Sequence, residues 1–186
     1  MRNNEREITM LKKALGIALL MVSLSVTAFA AIPKDSMHIG GLKPGMTIEQ
    51  VAAMYGQPVD AKSQLKAQQG MYYIAGGAIK GWLASNATGK PLNYFTDYAV
   101  GGFNTPPEAR NIEATAGIRL GMTSDEVASR LGKPDYIMTL QAGKAWTYFY
   151  FSTEPGTPGS GREHDTFFLT FKEGILDEIS INNYAG

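Results

Sequence analysis

Apolar residues along this chain fall into short runs that turn-forming residues separate. Near its end, three runs of β-branched and aromatic residues have the length of strands, at 145–151, 166–171 and 175–181. In the second run, Phe167, Leu169 and Phe171 share one side of a strand and can form a core. A glycine-containing turn at 172–174 joins the last two runs. The pattern predicts a three-stranded antiparallel meander.

A second pattern, with the features of a short helix, occurs twice. Residues 45–58 return as residues 121–134 with an offset of 76, and seven of the fourteen positions are identical. The identical pairs are Gly45/Gly121, Met46/Met122, Thr47/Thr123, Val51/Val127, Ala52/Ala128, Gly56/Gly132 and Pro58/Pro134. An internal repeat of this length indicates that one supersecondary unit has been duplicated.

Each copy contains the residues that begin and end a helix of about two turns. Thr47 and Thr123 are suited to the N-cap, and Gln50 and Glu126 stand three residues later, which completes a capping box in both copies. Each copy also has a hydrophobic staple, formed by Met46 and Val51 in the first copy and by Met122 and Val127 in the second. A Gly-x-Pro stop ends each helix, at Gly56 and Pro58 in the first copy and at Gly132 and Pro134 in the second.

Alignment of the two copies with the offset of 76 also predicts strands in the first copy. Residues 71–74 align with 147–150, and 92–99 align with the region 168–175, which leaves a degraded third strand around 100–103. Residues 104–111 are the start of the connection. The predicted fold is α+β, with two tandem repeats at 31–110 and 111–186, each with short helices packed on a roughly three-stranded antiparallel sheet.

The first thirty residues have the pattern of a secretory signal peptide. Lys12 and Lys13 precede an apolar run at 14–26, and a small-residue site ends at Ala30, where we expect cleavage. A membrane anchor is the alternative, but the run is short for a span and three hydroxyl residues interrupt it. Met10 is an alternative start of translation.

Composition limits the classes of partner. The chain has no cysteine, so it can form no disulfide and offers no thiol for a lipid anchor. Cleavage would remove four of the 17 basic and two of the 17 acidic side chains, which leaves 13 against 15. This balance predicts no binding to nucleic acid or anionic membrane. We expect a soluble exported protein, periplasmic or, in a cell without an outer membrane, extracellular.

The run at 145–151 is aromatic on both sides of the strand. Trp146, Tyr148 and Tyr150 share one side, and Phe149 and Phe151 share the other. One set can pack on the helix while the neighbouring repeat covers the other. Alternatively, the tyrosine-rich set forms an exposed protein-binding surface together with three tyrosines of the first copy, Tyr72, Tyr94 and Tyr98. The sequence leaves both interpretations open.

Two segments are predicted to be loops between strands. Residues 152–165 are almost all turn-forming or charged, which is typical of a mobile loop. Residues 76–90 contain Ile79, Trp82 and Leu83, and an apolar trio in a loop needs either the edge of the core or a partner. Trp82 is therefore a further candidate for partner binding.

Catalytic chemistry finds little support in the sequence. The two histidines, His38 and His164, have no spacing that would bind a metal. Glu163, His164 and Asp165 resemble a catalytic set, but adjacent loop residues point in different directions and no nucleophile motif accompanies them, which favours a solvated charge cluster. No glycine pair is followed by a phosphate-binding lysine. We predict no catalytic residue, no cofactor and no metal.

The second copy resembles the BamE (SmpA/OmlA) family, small proteins of the outer-membrane β-barrel assembly machinery. The residues that carry the resemblance are 118–123, Glu126, Val127, 131–134, 146–148, 168–171 and Ile179. The resemblance implies a pair of helices against a three-stranded antiparallel sheet and a role as a non-enzymatic protein-binding module in envelope assembly or maintenance. BamE proteins are typically single-unit lipoproteins, whereas this chain is doubled and lacks the cysteine.

The doubling is similar in architecture to the β-lactamase inhibitor proteins, in which two repeats form one concave sheet that holds an enzyme with aromatic side chains. This similarity implies the alternative function, a secreted or periplasmic inhibitor of a hydrolase. The sequence favours a protein partner in both cases, either an outer-membrane assembly component or a hydrolase.

Overall fold

The structure, a computed structural model, describes residues 32–61, 70–102, 105–140, 144–153 and 165–183. The predicted signal peptide and two residues of the charge cluster, Glu163 and His164, lie outside these residues. The described residues form two α-helices, α1 (Ile48–Tyr55) and α2 (Ser124–Leu131). They also form nine strands: β1 (Ile32–Pro33), β2 (Val59–Asp60), β3 (Met71–Ile74), β4 (Ile79–Ser85), β5 (Pro91–Gly101), β6 (Tyr136–Leu140), β7 (Ala145–Thr153), β8 (Asp165–Lys172) and β9 (Ile175–Asn183).

All nine strands belong to one sheet. Its order is β1-β7-β8-β9-β5-β4-β3-β2, and β6 also pairs with β7. The β1–β7 pair is parallel, and the other pairs are antiparallel. The predicted α+β class is therefore confirmed, and the strands of both halves, which the sequence analysis assigned to a three-stranded sheet in each repeat, belong to one continuous sheet.

The two halves of the chain meet where β5 pairs with β9. Tyr98 lies opposite Ile181 and Val100 lies opposite Ile179, and all four side chains are fully buried. The pairing is symmetric about Ala99 and Ser180, which face each other at its centre. Because pairing between strands far apart in sequence depends on the whole fold, this contact could not be read from local patterns.

Both helices begin as the capping pattern predicts. The Thr47 hydroxyl accepts a hydrogen bond from Gln50 N at 3.3 Å, and Gln50 Oε1 accepts one from Thr47 N at 2.8 Å. In α2 the same two bonds join Thr123 and Glu126 at 3.2 and 2.7 Å. The helices end at glycines with positive φ, 79° at Gly56 and 75° at position 132. The capping boxes are confirmed in both copies.

The segments before the helices are attached to the sheet in the same way. Gly45 N donates to Phe95 O at 2.7 Å, and Phe95 N donates to the carbonyl of residue 46 at 2.8 Å. At the start of α2, Gly121 N donates to Leu176 O at 2.9 Å, and Leu176 N donates to the carbonyl of residue 122 at 2.8 Å. Each helix is therefore fixed to the strand that also forms the junction between the halves, β5 for α1 and β9 for α2.

Strand register separates the sheet into two faces. The first face carries the core, which includes Ile74, Ile79, Phe95, Tyr98, Val100, Tyr150, Phe167, Leu169, Phe171, Ile179 and Ile181. Val51 of α1 and Val127 of α2 belong to the same buried cluster, so both described helices pack on the first face. The opposite side is called the second face below.

The prediction of a loop at 76–90 is wrong, because this segment contains β4. Ile79 and Leu83 are buried, whereas Trp82 lies between them on the second face. The strand was missed because the sequence offset of 76 does not hold beyond the helices. The offset aligns Phe95 with Phe171. In the structure, however, Phe95 is equivalent to Leu176, because both residues form the same pair of backbone hydrogen bonds to the segment before a helix. The third strand of the first half is therefore the full-length β5.

Candidate functional site

Five of the seven predicted partner-binding residues lie on the first face. Tyr98 and Tyr150 are fully buried, so the hypothesis of an exposed surface that includes these two side chains is wrong. Tyr72, Trp146 and Tyr148 are half-buried and pack against the core. The Trp146 ring stacks on Phe171 at a centroid distance of 5.7 Å, and the Tyr148 and Tyr72 rings lie 4.7 Å from Phe171 and 5.9 Å from Phe95. These aromatic rings complete the core beneath the helices.

The two buried tyrosines differ in how their hydroxyl groups are satisfied. Tyr150 Oη donates a hydrogen bond to Gly132 O at the end of α2, at 3.1 Å. Tyr98 Oη is buried without a hydrogen-bond partner among the residues that the structure describes. Burial raises the pKa of both phenols, so both stay neutral under ordinary conditions.

Phenylalanine at these two positions is expected to change stability in opposite directions. Tyr98→Phe removes a buried hydroxyl that makes no bond and should raise the free energy of unfolding by about 1 kcal/mol. Tyr150→Phe removes a bonded hydroxyl and should lower it by about 1 kcal/mol. Urea unfolding of both variants and the wild type measures the difference. Equal changes of the same sign would contradict the conclusion that the Tyr98 hydroxyl is unbonded and the Tyr150 hydroxyl is bonded.

The remaining two candidates, Trp82 and Tyr94, lie elsewhere. Trp82 is half-buried on the second face, in register with Asp97. Tyr94 is 37% exposed and forms an isolated bridge with Thr47 at the start of α1. A partner-binding role for these two side chains stays a prediction.

An aromatic cluster that sequence reasoning missed lies on the second face beside β6. The Tyr136 ring contacts Phe149 edge-on at a centroid distance of 5.3 Å, and Phe149 contacts Phe168 at 4.9 Å. Phe151, 37% exposed, follows on the same side of β7. Asp135 holds this corner, because its Oδ2 accepts from Phe151 N at 2.8 Å and its N donates to Phe149 O at 2.9 Å.

Strand register places Trp82 in the same surface as this cluster. Phe151 pairs with Thr166, Thr166 with Asn182, Asn182 with Asp97 and Asp97 with Trp82. Paired residues share a face, so Trp82 and Phe151 lie on the second face in one row, four strands or about 19 Å apart. We call Trp82, Tyr136, Phe149, Phe151 and Phe168 the aromatic face.

Strand β6 adds exposed apolar side chains to the rim of this surface. Tyr136, Met138 and Leu140 lie on the second face and are exposed by between 37 and 56%, whereas Ile137, 46% exposed, lies on the first face in register with Tyr148. No other described strand pairs with the outer edge of β6. An exposed apolar edge strand is unusual, because its free N–H and C=O groups can pair with another chain.

The sequence contained a signal for this surface. The run at 145–151 is aromatic on both sides, and only one side can pack beneath a helix. The side opposite to the core consists of Phe149 and Phe151, not of the tyrosines that we selected. The apolar run at 136–140 directly follows the helix stop at Pro134 and is a further strand signal.

Neither a metal-binding cluster nor a membrane-spanning helix occurs in the described part of the chain. No group of three or more His, Asp or Glu residues there could hold a metal ion. None of the described helices is long and apolar enough to cross a membrane. His38, the histidine within the described residues, accepts a hydrogen bond at Nδ1 from Gly41 N at 3.3 Å.

Acidification is expected to destabilise the protein through His38. Burial, and then the charge of Lys43, lower the pKa of His38 below 6.5, while Glu113 acts in the opposite direction. The unfolded chain therefore binds a proton first, so stability present above pH 6.5 is lost as the pH falls from 6.5 through the lower folded pKa. Protonation of Nδ1 would also break the bond from Gly41. His38→Asn keeps an acceptor without titrating, and thermal melts between pH 7.5 and 5.5 should show a smaller fall in Tm for this variant than for the wild type. Equal falls would exclude His38 as the cause.

Comparison with known proteins identifies a domain in the second half. Residues 109–180 match the outer membrane protein assembly factor BamE domain. The resemblance of the second copy to the BamE family is therefore confirmed over these residues. No curated protein matches the chain in sequence.

Two solved structures resemble the chain at low sequence identity. A DUF4309-family protein (YjgB) from Bacillus subtilis is 16% identical, with a TM-score of 0.41, and the match covers 77% of this chain and 82% of that one. A candidate beta-lactamase inhibitor protein from Streptococcus mutans is 14% identical, with a TM-score of 0.25 and coverage of 86% and 94%. With TM-scores below 0.5, these similarities carry no inference about fold or function.

Proposed function

We propose that this chain is an exported, non-enzymatic protein-binding module that acts in the assembly or maintenance of outer-membrane proteins. The match of residues 109–180 to the BamE domain supports this role. The observation that carries it is the aromatic face, which lies largely within the matched residues and lies beside an edge of β6 that no other described strand pairs with.

We further propose that the chain consists of two copies of one unit, residues 31–110 and 111–186, that follow a signal peptide. The equivalent capping boxes, the equivalent bonds from Gly45 and Gly121, and the symmetric β5–β9 register all support a duplication. In this arrangement both halves contribute to a single second face, which is wide enough for a protein partner.

The aromatic face has the composition of an interface that binds protein. Aromatic side chains are enriched at binding hot spots because they bury a large area at a small entropic cost. Trp82 lies at one end of the surface and the β6 cluster lies at the other. The row between them contains the polar residues Asp97, Asn182 and Thr166, of which Asp97 and Asn182 are half-buried and Thr166 is buried.

Capture of partners from the cell envelope tests the proposal. A triple variant, Tyr136→Ser, Met138→Ser and Leu140→Ser, removes exposed apolar groups of the matched region without opening the core. The control variant, Val59→Ser with Leu92→Ser, removes exposed apolar groups of the first half. The tagged wild type should capture outer-membrane assembly components, the triple variant should capture at least tenfold less, and the control should match the wild type.

The outcomes separate the candidate functions. Equal capture by the triple variant would exclude the β6 end of the aromatic face as the binding surface. A soluble hydrolase in place of envelope components would replace the assembly role with that of an inhibitor. Thermal melts of both variants should stay within a few degrees of the wild type, because the substituted side chains are exposed.

A further inference from the structure

A cavity of about 520 Å³ lies at the end of the sheet that is opposite to β6. It forms where the end of α1, strands β2 and β3 and the turn at 75–77 meet. Its lining includes Tyr55, Gln57, Val59, Tyr73, Gly76 and Gly77. The volume is within the range of sites that bind small molecules.

The described residues that line this cavity are uncharged at neutral pH. A second cleft of about 480 Å³ is different, since Arg110, Lys172 and Asp177 line it and the last two form an ion pair at 2.5 Å. An ionic ligand in the uncharged cavity would lose hydration without gaining a counter-charge.

Two tyrosines form aromatic parts of the wall. Tyr55 Oη already donates to Gly40 O at 2.6 Å, so this side chain offers a ligand mainly its ring. Tyr73 lies on β3 in register with Val59, and both side chains are accessible to solvent. The rings provide flat apolar surface, and the Gln57 amide provides both a donor and an acceptor.

The turn at 75–77 brings backbone to the surface of the cavity. No atom lies within 4 Å of the positions where a Cβ of Gly76 or Gly77 would stand, so the space beside these residues is open. Their φ angles are 65° and 94°, which glycine adopts without strain. A ligand can therefore approach the peptide groups of the turn closely.

We propose that this cavity binds an uncharged ligand rich in hydroxyl groups, and that its chemical class is a neutral saccharide of about two rings. The C–H face of a sugar ring can pack against an aromatic ring. Sugar hydroxyls both donate and accept hydrogen bonds, so they can pair with the donors and acceptors of Gln57 and of the peptide groups in the turn. None of the residues that line the cavity is a member of the aromatic face, so the inference goes beyond the proposed function and does not depend on it.

A titration monitored by NMR tests the inference on the purified protein. The probe is N,N′-diacetylchitobiose, and its deacetylated form, chitobiose, is a matched disaccharide that carries positive charge. The amide signals of Gly76 and Gly77 should shift with the neutral sugar, and chitobiose should bind at least tenfold more weakly. Gln57→Ala, on an exposed residue, and Tyr73→Ala should each weaken binding about fivefold or more, whereas Tyr94→Ala should not.

Three results would overturn the inference. They are an absence of shifts at Gly76 and Gly77 at millimolar sugar, equal binding of the charged disaccharide, and binding that neither Gln57→Ala nor Tyr73→Ala weakens. Since Gln57 is exposed at the surface, its variant keeps the test valid even if Tyr73→Ala proves unstable. Loss of partner capture by the β6 variant with intact sugar binding would show that the two sites act independently.

Discussion

Replacement of Gly101 by alanine is expected to lower the free energy of unfolding by about 3–5 kcal/mol. Gly101 ends β5, pairs with Glu178 of β9 and has a φ of 98°. A Cβ at this position would overlap Asp177 O and lie 2.9 Å from Glu178 Cα and 2.8 Å from Leu120 Cδ2. Because backbone atoms cannot rotate away, β9 would have to move from β5, and the junction between the halves would open.

Gly121→Ala is the matched control for this effect. Gly121 has a φ of 88°, but no atom lies within 4 Å of its Cβ position, so alanine there has only the conformational cost of about 1–2 kcal/mol. Urea unfolding of the two variants isolates the contribution of the close approach. Equal losses of stability in the two variants would mean that the close approach of β9 to Gly101 adds nothing to the conformational cost of alanine.

Features that depend on nearby residues could be predicted from the sequence. The capping boxes of Thr47 and Thr123 need only a residue three positions away, and both formed as expected. Three strands of the second half, β7, β8 and β9, followed from their own aromatic and β-branched content, whereas β6 was not predicted. The BamE resemblance rested on the same residues, and the match to residues 109–180 bears it out.

Features that depend on distant residues could not be predicted. The join of β5 to β9 involves strands about 80 residues apart, and no local pattern specifies that partner. The strand at 79–85 was mistaken for a loop, because an alignment based on the helices was extended over connections of different length.

The candidate site was misplaced for a related reason. Alternation showed that Trp146, Tyr148 and Tyr150 share a side, but it cannot show which side meets the helices. The bond from Tyr150 Oη to Gly132 O and the stacking of Trp146 on Phe171 place this side in the core. The binding hypothesis therefore moves to Phe149 and the other members of the aromatic face, of which Trp82 alone was among the original candidates.

Gly40 and Ala116 provide a test of equivalence between the two halves. They lie 76 residues apart, at matching distances before α1 and α2, and have φ angles of 59° and 57°. Gly40 is enclosed, since a Cβ there would overlap Tyr55 Oη and lie 3.3 Å from Ile79 Cδ1 and from Ile112 Cγ2. Ala116 is exposed and tolerates its Cβ at the cost of an unfavourable backbone conformation.

The substitutions Gly40→Ala and Ala116→Gly should therefore change the free energy of unfolding in opposite directions and by different amounts. Gly40→Ala is expected to lower the free energy of unfolding by about 2–4 kcal/mol, because it adds a steric overlap and breaks the hydrogen bond from Tyr55 Oη to Gly40 O. Ala116→Gly should raise it by about 0.5–1 kcal/mol, since relief of strain outweighs the entropy that glycine adds to the unfolded chain. Urea unfolding measures both, and a stabilising Gly40→Ala or a strongly destabilising Ala116→Gly would contradict the shared backbone geometry. The asymmetry has a physical source in the residue of each helix that bonds to the turn. Leu131 occupies the position of Tyr55 in α2 and cannot donate a hydrogen bond. Arg130 donates to Ala116 O at 3.4 Å and to Gly117 O at 3.2 Å instead, and it leaves Ala116 exposed.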